Sequence, residues 1–304
     1  MILVRLIILN LLVYPFVSAD SFPYTFQSTG NPVDSIEFKI LLKPGKFLRI
    51  KNGIEAYRAI VRETAEKMGL AISTKKLKKP KKREIQFYDT STFELRKHGF
   101  LLRHRKEKGA PTSGVSLKFR HSEYNRVKEA DLGVAPGYEF KTKFEEDIGA
   151  KDGTHTTSVY SRSSTVEIPP LEGSTLQDYI DIFPGLKSLA LVPEVLLKKV
   201  NGLTVLEKKY KLDSIEFGGD ERVGTDLSIW TLQGEDQPLI AEFSFKSKTP
   251  DSHTQNIARR FFLTLITKSK TWRQKGLTKT ALIYKGRPRT ARVPLGAFQE
   301  LYDY

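Results

Sequence analysis

The sequence predicts an α+β fold in which an antiparallel sheet of about eight strands closes into a barrel, with amphipathic helices packed outside it. Three observations predict it. Apolar and charged side chains alternate strictly along many short segments, the signature of strands with two different faces. The charged face carries both signs, Lys and Arg beside Glu, on strand after strand. Helical stripes interrupt the strands without a βαβ rhythm, and each needs an apolar surface to cover. An open antiparallel sheet commonly turns its charged face to water. A sheet curled with its charges inward instead offers apolar surface to the helices and removes its exposed edges.

The elements follow in order. Ile36, Phe38 and Ile40 alternate with Ser35, Glu37 and Lys39. Residues 53–68 place Ile54, Tyr57, Val61, Ala65 and Met68 on one helical stripe. Strands are expected at 83–90 and 99–106, and Val115, Leu117 and Phe119 alternate with Ser116, Lys118 and Arg120. From Glu139 to Ile148, Glu139, Lys141, Lys143, Glu145 and Asp147 alternate mostly with aromatic or apolar positions. Ala150 to Gly173, rich in Ser, Thr, Gly and Pro, reads as a loop. Ser174 with Gln177 is a capping-box signature for a short helix that Pro184-Gly185 ends. Further strands are expected at 194–200, 204–213, 225–233 and 241–246. In the last of these, Ala241, Phe243 and Phe245 alternate with Glu242, Ser244 and Lys246. Ser252 with Gln255 opens a final helix at 253–270.

The ends read differently. Arg5, the apolar run Leu6 to Tyr14 and Val17-Ser18-Ala19 fit a signal peptide over residues 1–19, which predicts a secreted or extracytoplasmic chain starting at Asp20. The run is shorter than the ~20 residues a membrane helix needs, and no later segment approaches a span. The folded domain is expected at 34–270. Residues 271–304, with Lys285, Arg287, Arg289 and Arg292, read as a basic extension lying on the barrel.

Composition narrows the chemistry. A formal charge of +15 on 304 residues favours polyanionic partners such as phosphates, nucleic acid or an anionic envelope. The sequence lacks the aromatics interleaved on a basic face that single-strand binding uses, so no specific nucleic acid is expected. There is no cysteine, which excludes disulfides and thiolate chemistry, and the five histidines show no zinc spacing. Lys75 to Arg83 is basic apart from Leu77 and Pro80 and reads as a solvated loop or a polyanion-collecting rim. An interior with both signs suits phosphate held by Lys and Arg, with carboxylates on a hard divalent cation.

Gln86-Phe87-Tyr88-Asp89-Thr90 followed by Leu101-Leu102-Arg103-His104-Arg105 resembles the CYTH family, the triphosphate tunnel metalloenzymes. Lys118 with Arg120, the Lys143-x-Glu145-x-Asp147 strand, Lys198-Lys199 and Ala241-Glu242-Phe243-Ser244 resemble later family motifs in the same order. The resemblance implies a phosphohydrolase acting on inorganic triphosphate, polyphosphate or a triphosphate-bearing organic compound, with Mg²⁺ or Mn²⁺. It implies Lys39, Arg103, Arg105, Lys118, Arg120, Lys143, Lys199 and Lys209 as substrate-binding residues. It also implies Glu37, Glu145 and Glu242 as catalytic residues, and Glu37, Asp147 and Glu242 as metal ligands. Ser35 stands where the family opens with glutamate, Ser244 replaces the second acid of the late pair, and Leu227 to Thr231 carries no acid. The alternative is therefore a polyphosphate- or triphosphate-binding module without catalysis. His104 falls opposite Arg103 and Arg105, and it reads, like Trp230 and Trp272, as a packing residue.

Overall fold

Along Ser35–Leu42 the side chains of Ile36, Phe38, Ile40 and Leu42 are buried while Glu37, Lys39 and Leu41 remain half-buried, so the two faces of this strand meet different surroundings. The same division recurs around the sheet. The computed structural model describes residues 32–151, 155–171, 174–218, 222–248, 251–276 and 278–286. All belong to one unit, Asn31–Tyr304. Its first elements are β1 (Ser35–Leu42), α1 (Ile50–Lys67), β2 (Ile72–Ser73), β3 (Lys81–Asp89), α2 (Glu94–Lys97), β4 (Phe100–Glu107), β5 (Ser113–His121) and α3 (Tyr124–Glu129). Next come β6 (Phe140–Ala150), β7 (Thr156–Ile168), α4 (Leu176–Ile180), β8 (Lys198–Lys199), β9 (Val205–Glu216), β10 (Arg222–Leu232) and β11 (Pro238–Ser247). Helices α5 (Ser252–Lys268) and α6 (Lys279–Lys285) follow.

The sheet rings through nine strands in the order β9-β10-β11-β1-β6-β7-β5-β4-β3, and β3 pairs back onto β9. Short β2 and β8 attach to β9 and β3. The ring is not wholly antiparallel as expected: β1 runs parallel to β6, Glu37 opposite Asp147. Four other strands and three helices separate β1 from β6 in sequence, so their pairing is free of the constraint a hairpin turn imposes.

Helices cover the outer face. Tyr57, Val61 and Ala65 of α1 and Phe261, Phe262 and Leu265 of α5 share one apolar cluster with Phe38, Ile40, Ile229, Phe243 and Phe245. Phe38 stacks on Phe245 at 4.7 Å and meets Phe262 at 5.1 Å. Leu176 and Tyr179 of α4 and Val127 of α3 cover Leu102, Val115, Leu117 and Val166. Two buried ion pairs pin helices to strands: Arg58 to Asp213 at 2.5 Å and Arg259 to Glu146 at 3.1 Å. His104 lies on this outer side, buried against Tyr88 and 2.9 Å from the Tyr179 hydroxyl. Among the described residues no helix is long and apolar enough to cross a membrane.

Several local expectations need correcting. The Ser/Thr-rich stretch expected as a loop contains β7, a central strand between β5 and β6. Its Ser and Thr residues read as turn formers in isolation, but partners on both sides satisfy their backbone, and strand propensity is set by such context. The strand expected at 194–200 shrinks to β8, two exposed residues beside Tyr88 and Asp89. The capping box sits one residue later than expected, with the Thr175 N–H donating to Asp178 at 2.6 Å. The cap of α5 is Asp251, which accepts from the Thr254 N–H at 2.7 Å.

The inner wall is not charged throughout. At one end Leu41, Phe87, Leu101, Trp230 and Leu232 form an apolar cluster, and α6 seats Ile283 and Tyr284 in it. The Tyr284 hydroxyl donates to Asp89 at 3.0 Å. Residues 1–19 and Arg287, Arg289 and Arg292 lie outside the described residues.

Phe245 touches strand and helix partners at once, so Phe245→Ala should cost about 3–5 kcal/mol through lost burial and a cavity. Urea unfolding with an unchanged slope measures it. A loss below about 1 kcal/mol would mean the helices do not depend on this surface.

Candidate functional site

Side chains directly opposite one another on paired strands share a face. The registers Glu37↔Asp147, Glu37↔Lys246, Lys39↔Ser244, Arg103↔Ser116 and Lys118↔Ser163 therefore place the alternating polar positions together on the inner wall. Ser161, Ser163 and Thr165 of β7 contribute only short hydroxyls there, which leaves room for the long side chains of β5 and β6. The Ser116 and Thr165 hydroxyls meet at 2.7 Å, and Arg103 donates weakly to Ser116 at 3.5 Å.

Three carboxylates converge. One oxygen from each of Glu37, Glu145 and Asp147 lies within 4.8 Å of the other two. Cations interleave with them. Lys39 is 2.6 Å from Asp147 and 3.0 Å from Glu37, Arg120 is 2.8 Å from Asp147, and Lys246 is 2.5 Å from Glu145. Burial raises the pKa of Glu37, yet Lys39 and Lys246 outweigh it and hold the group at about 2. Asp147 is likewise driven well below the carboxylate range, burial being overcome by Lys39, Lys118 and Arg120. Both stay ionised at neutral pH. All-oxygen donors of this kind suit a hard divalent cation. Glu37, Glu145 and Asp147 are the residues that could hold one.

Beside the triad the balance turns positive. Burial, reinforced by Arg105, lowers Arg103 to about 9. Burial also lowers Lys118 to about 8, because Lys39 and Arg120 offset much of the pull of the carboxylates, which stand 3.8 and 3.9 Å from its ammonium. Arg105 is lowered by burial and by Arg83, and Lys143 by burial and by Lys246. The Nε atoms of Arg83, Arg103, Arg105 and Arg120 are buried without a hydrogen-bond partner among the described residues. Arg103, Arg105, Lys118 and Lys143 thus carry their positive charge at a cost that a nearby negative charge would relieve.

The structure brings Glu37, Lys39, Arg103, Arg105, Lys118, Arg120, Glu145 and Asp147 onto one inner wall, with Lys143 exposed where that wall opens. Lys209 lies farther along, paired with Asp226 at 2.8 Å. Glu242 stands apart from the triad and pairs with Lys279 of α6 at 2.5 Å. Lys199 does not join the site: it sits exposed on β8, because the chain turns away before a full strand forms.

Sequence reasoning missed Lys246, Asp226, Lys279 and the pair formed by Arg83 and Glu207, to which Trp230 also donates at 3.0 Å. Lys246 was detectable, since it continues the alternation that selects Glu242 and Ser244. Lys279 was not. Nothing in the local pattern tells a tail lysine that it will reach Glu242.

No family model matches the chain, and no curated protein matches it. Among solved structures it is similar to a putative adenylyl cyclase from Hippeastrum with a dominant triphosphatase activity, at 14% identity and a TM-score of 0.43, covering 86% of this chain and 99% of that one. It is also similar to a putative adenylate cyclase from Bacillus halodurans, at 11% identity and TM-score 0.40, covering 81% and 94%. A third, a putative adenylate cyclase from Vibrio parahaemolyticus, shows 13% identity and TM-score 0.34 over 81% and 96%.

The depressed cations make a pH prediction. The folded pKa of Lys118 lies below its unfolded 10.5, so its charge destabilises the fold at low pH, and the penalty fades as pH rises from about 8 toward 10.5. A bound polyanion favours the protonated form and raises that pKa. Tripolyphosphate binding at a pH just above 8 should therefore take up protons, seen as calorimetric heats that vary with buffer ionisation enthalpy. Heats independent of buffer would show that the anion does not bind beside Lys118.

Proposed function

We propose that the chain is a CYTH-like phosphohydrolase whose ring of strands acts as a closed tunnel for the phosphate chain of an inorganic triphosphate, a polyphosphate or a triphosphate-bearing organic compound. The observation that carries the reading is the adjacency of an under-compensated basic wall, Arg103, Arg105 and Lys118, to three convergent carboxylates. Guanidinium groups bind phosphate oxygens bidentately and hold the chain in one register. Glu37, Glu145 and Asp147 lie close enough together to hold Mg²⁺ or Mn²⁺, which when bound would polarise the phosphoanhydride. The basic side chains take up the charge of the scissile phosphoryl group, and a triad carboxylate orients the attacking water. The water oxygen bonds to phosphorus as the bond to the bridging oxygen breaks, and the shortened chain leaves with that oxygen. The proton released passes through the carboxylate to solvent.

A second reading, a binding module without catalysis, is favoured by one observation. Each triad carboxylate already touches a lysine or arginine, so a metal must compete with built-in cations. Export through the signal-like residues 1–19 belongs to the proposal as well, and N-terminal sequencing of a secreted chain beginning at Asp20 tests it.

Phosphate release from tripolyphosphate, with and without Mg²⁺ or Mn²⁺, separates the two readings. Glu37→Gln should abolish metal-dependent release and spare binding. Arg103→Ala or Arg105→Ala should weaken binding by about 1.5–3 kcal/mol while leaving the fold intact. Binding without release by the native chain supports the module. Unchanged affinity in both arginine variants removes the basic wall from the site.

A further inference from the structure

Where β3 closes the ring against β9, lysines stand on both faces of the seam. Lys81 lies opposite Lys209 on the inner face, and Lys82 lies opposite Lys208 on the outer face. The fold treats the two pairs differently. Lys81 pairs with Glu107 and Lys209 with Asp226. Lys82 and Lys208 make no ion pair among the described residues. Lys108 lies beside them, its N–H donating to the Lys82 carbonyl at 3.1 Å. Glu84, opposite Lys106 of β4, is the carboxylate that accompanies this outer group. Opposed like charges weaken a strand pair, a cost that a neutral residue at position 82 or 208 would remove.

The segment before β3 extends the basic strip, and it is pinned to the body. The Lys75 N–H donates to Asp213 at 2.8 Å, and its carbonyl accepts from Arg58. Leu77 packs on the apolar cluster shared by α1 and α5. Because β2 and β3 both pair with β9, residues 74–80 run along the same edge of that strand. Lys76, Lys78 and Lys79 are exposed there and, like Lys82 and Lys208, make no ion pair among the described residues. The anchors hold the backbone that carries these ammonium groups, which lowers the ordering cost of binding. Consecutive strand residues rise only about 3.3 Å, so the strip begins where Lys81 and Lys209 end the inner wall.

The ligand that fits is a long anion with neither bases nor acyl chains. Tyr88 and Tyr210, the tyrosines of β3 and β9, are buried, so the strip offers no ring on which a base stacks. The exposed large apolar side chains, Leu48, Tyr138, Phe140, Val192 and Leu196, belong to other segments, so the strip lacks the apolar side chains with which a peripheral protein enters a bilayer. We propose that the strip is an accessory surface for long-chain inorganic polyphosphate, holding the part of the chain that extends beyond the tunnel mouth. The proposal rests on the reading of the interior as a phosphate tunnel, and it selects polyphosphate over free triphosphate as the ligand class.

Calorimetry with the full chain tests it, using long-chain polyphosphate and tripolyphosphate as separate probes at about 0.15 M salt, where remote charges are screened. A variant carrying Lys78→Gln, Lys79→Gln, Lys82→Gln and Lys208→Gln should bind polyphosphate about tenfold more weakly, with a shallower salt dependence. Its tripolyphosphate affinity should stay within about twofold of the native value. Glu84→Lys adds a cation to the strip and should strengthen polyphosphate binding alone. Polyphosphate affinity and salt slope unchanged in both variants overturn the surface, and so does an equal loss for both probes. Single-stranded DNA or anionic vesicles bound more tightly than polyphosphate overturn the choice of ligand. A chain that binds polyphosphate through these lysines but does not bind tripolyphosphate overturns the tunnel reading and keeps the surface.

Discussion

Ionised side chains line the inside of a closed sheet, and each must find a counter-ion or solvent, because an unpaired charge out of water is expensive. The Lys39–Asp147 contact meets that constraint at its tightest point. Asp147 is buried and receives Lys39, Arg120 and the Ser161 hydroxyl at 2.6, 2.8 and 3.4 Å. These groups come from β1, β5, β7 and β6 itself, so one carboxylate ties together the parallel junction and the two strands beyond it. Glu207 performs the same task at the seam where β3 meets β9, with Arg83 across the strands and Trp230 from β10. The ring holds its charges because its acids are placed at the points where strands must join.

Those acids do not neutralise the whole wall. Near β4 and the outer half of β6 the bases outnumber them, and Arg103, Arg105, Lys118 and Lys143 all lie below their ordinary pKa. The native state accepts that cost, which the apolar shell outside must offset. Phe38, Phe243, Phe245, Phe261 and Phe262 bury almost completely against one another. Strained electrostatics inside a rigid apolar shell is preorganisation: the donors are already aimed, and a bound polyanion would relieve repulsion that the fold has already accepted.

The interior also has a direction. Leu41, Phe87, Trp230 and α6 close one end with apolar contacts, while Lys81, Lys143 and Lys209 crowd the other. Lys81 stands directly opposite Lys209, and Lys82 opposite Lys208. Like charges face to face weaken a strand pair, and here Glu107 and Asp226 offset them by pairing with Lys81 and Lys209.

Alternation along single strands was enough to read the two faces. Ile36, Phe38 and Ile40 against Glu37 and Lys39, or Leu117 and Phe119 against Lys118 and Arg120, determine which side chains are covered by helices and which meet the interior. Both patterns are local, with a period of two residues, so they survive without any knowledge of partners. The basic residues of β4 and β5 and the acids of β6 were legible for that reason. Partners were not. Ser161, Ser163 and Thr165 become a central strand only because β5 and β6 flank them, and Lys198-Lys199 loses its strand because the chain turns away. The parallel pairing of β1 with β6, which sets Glu37 beside Asp147, and the reach of Lys279 to Glu242 join residues more than thirty positions apart. Periodicity therefore determined the face each residue occupies. Only the closed tertiary structure decided which charges meet across it, because Coulomb and hydrogen-bond energies depend on distances that local sequence does not encode.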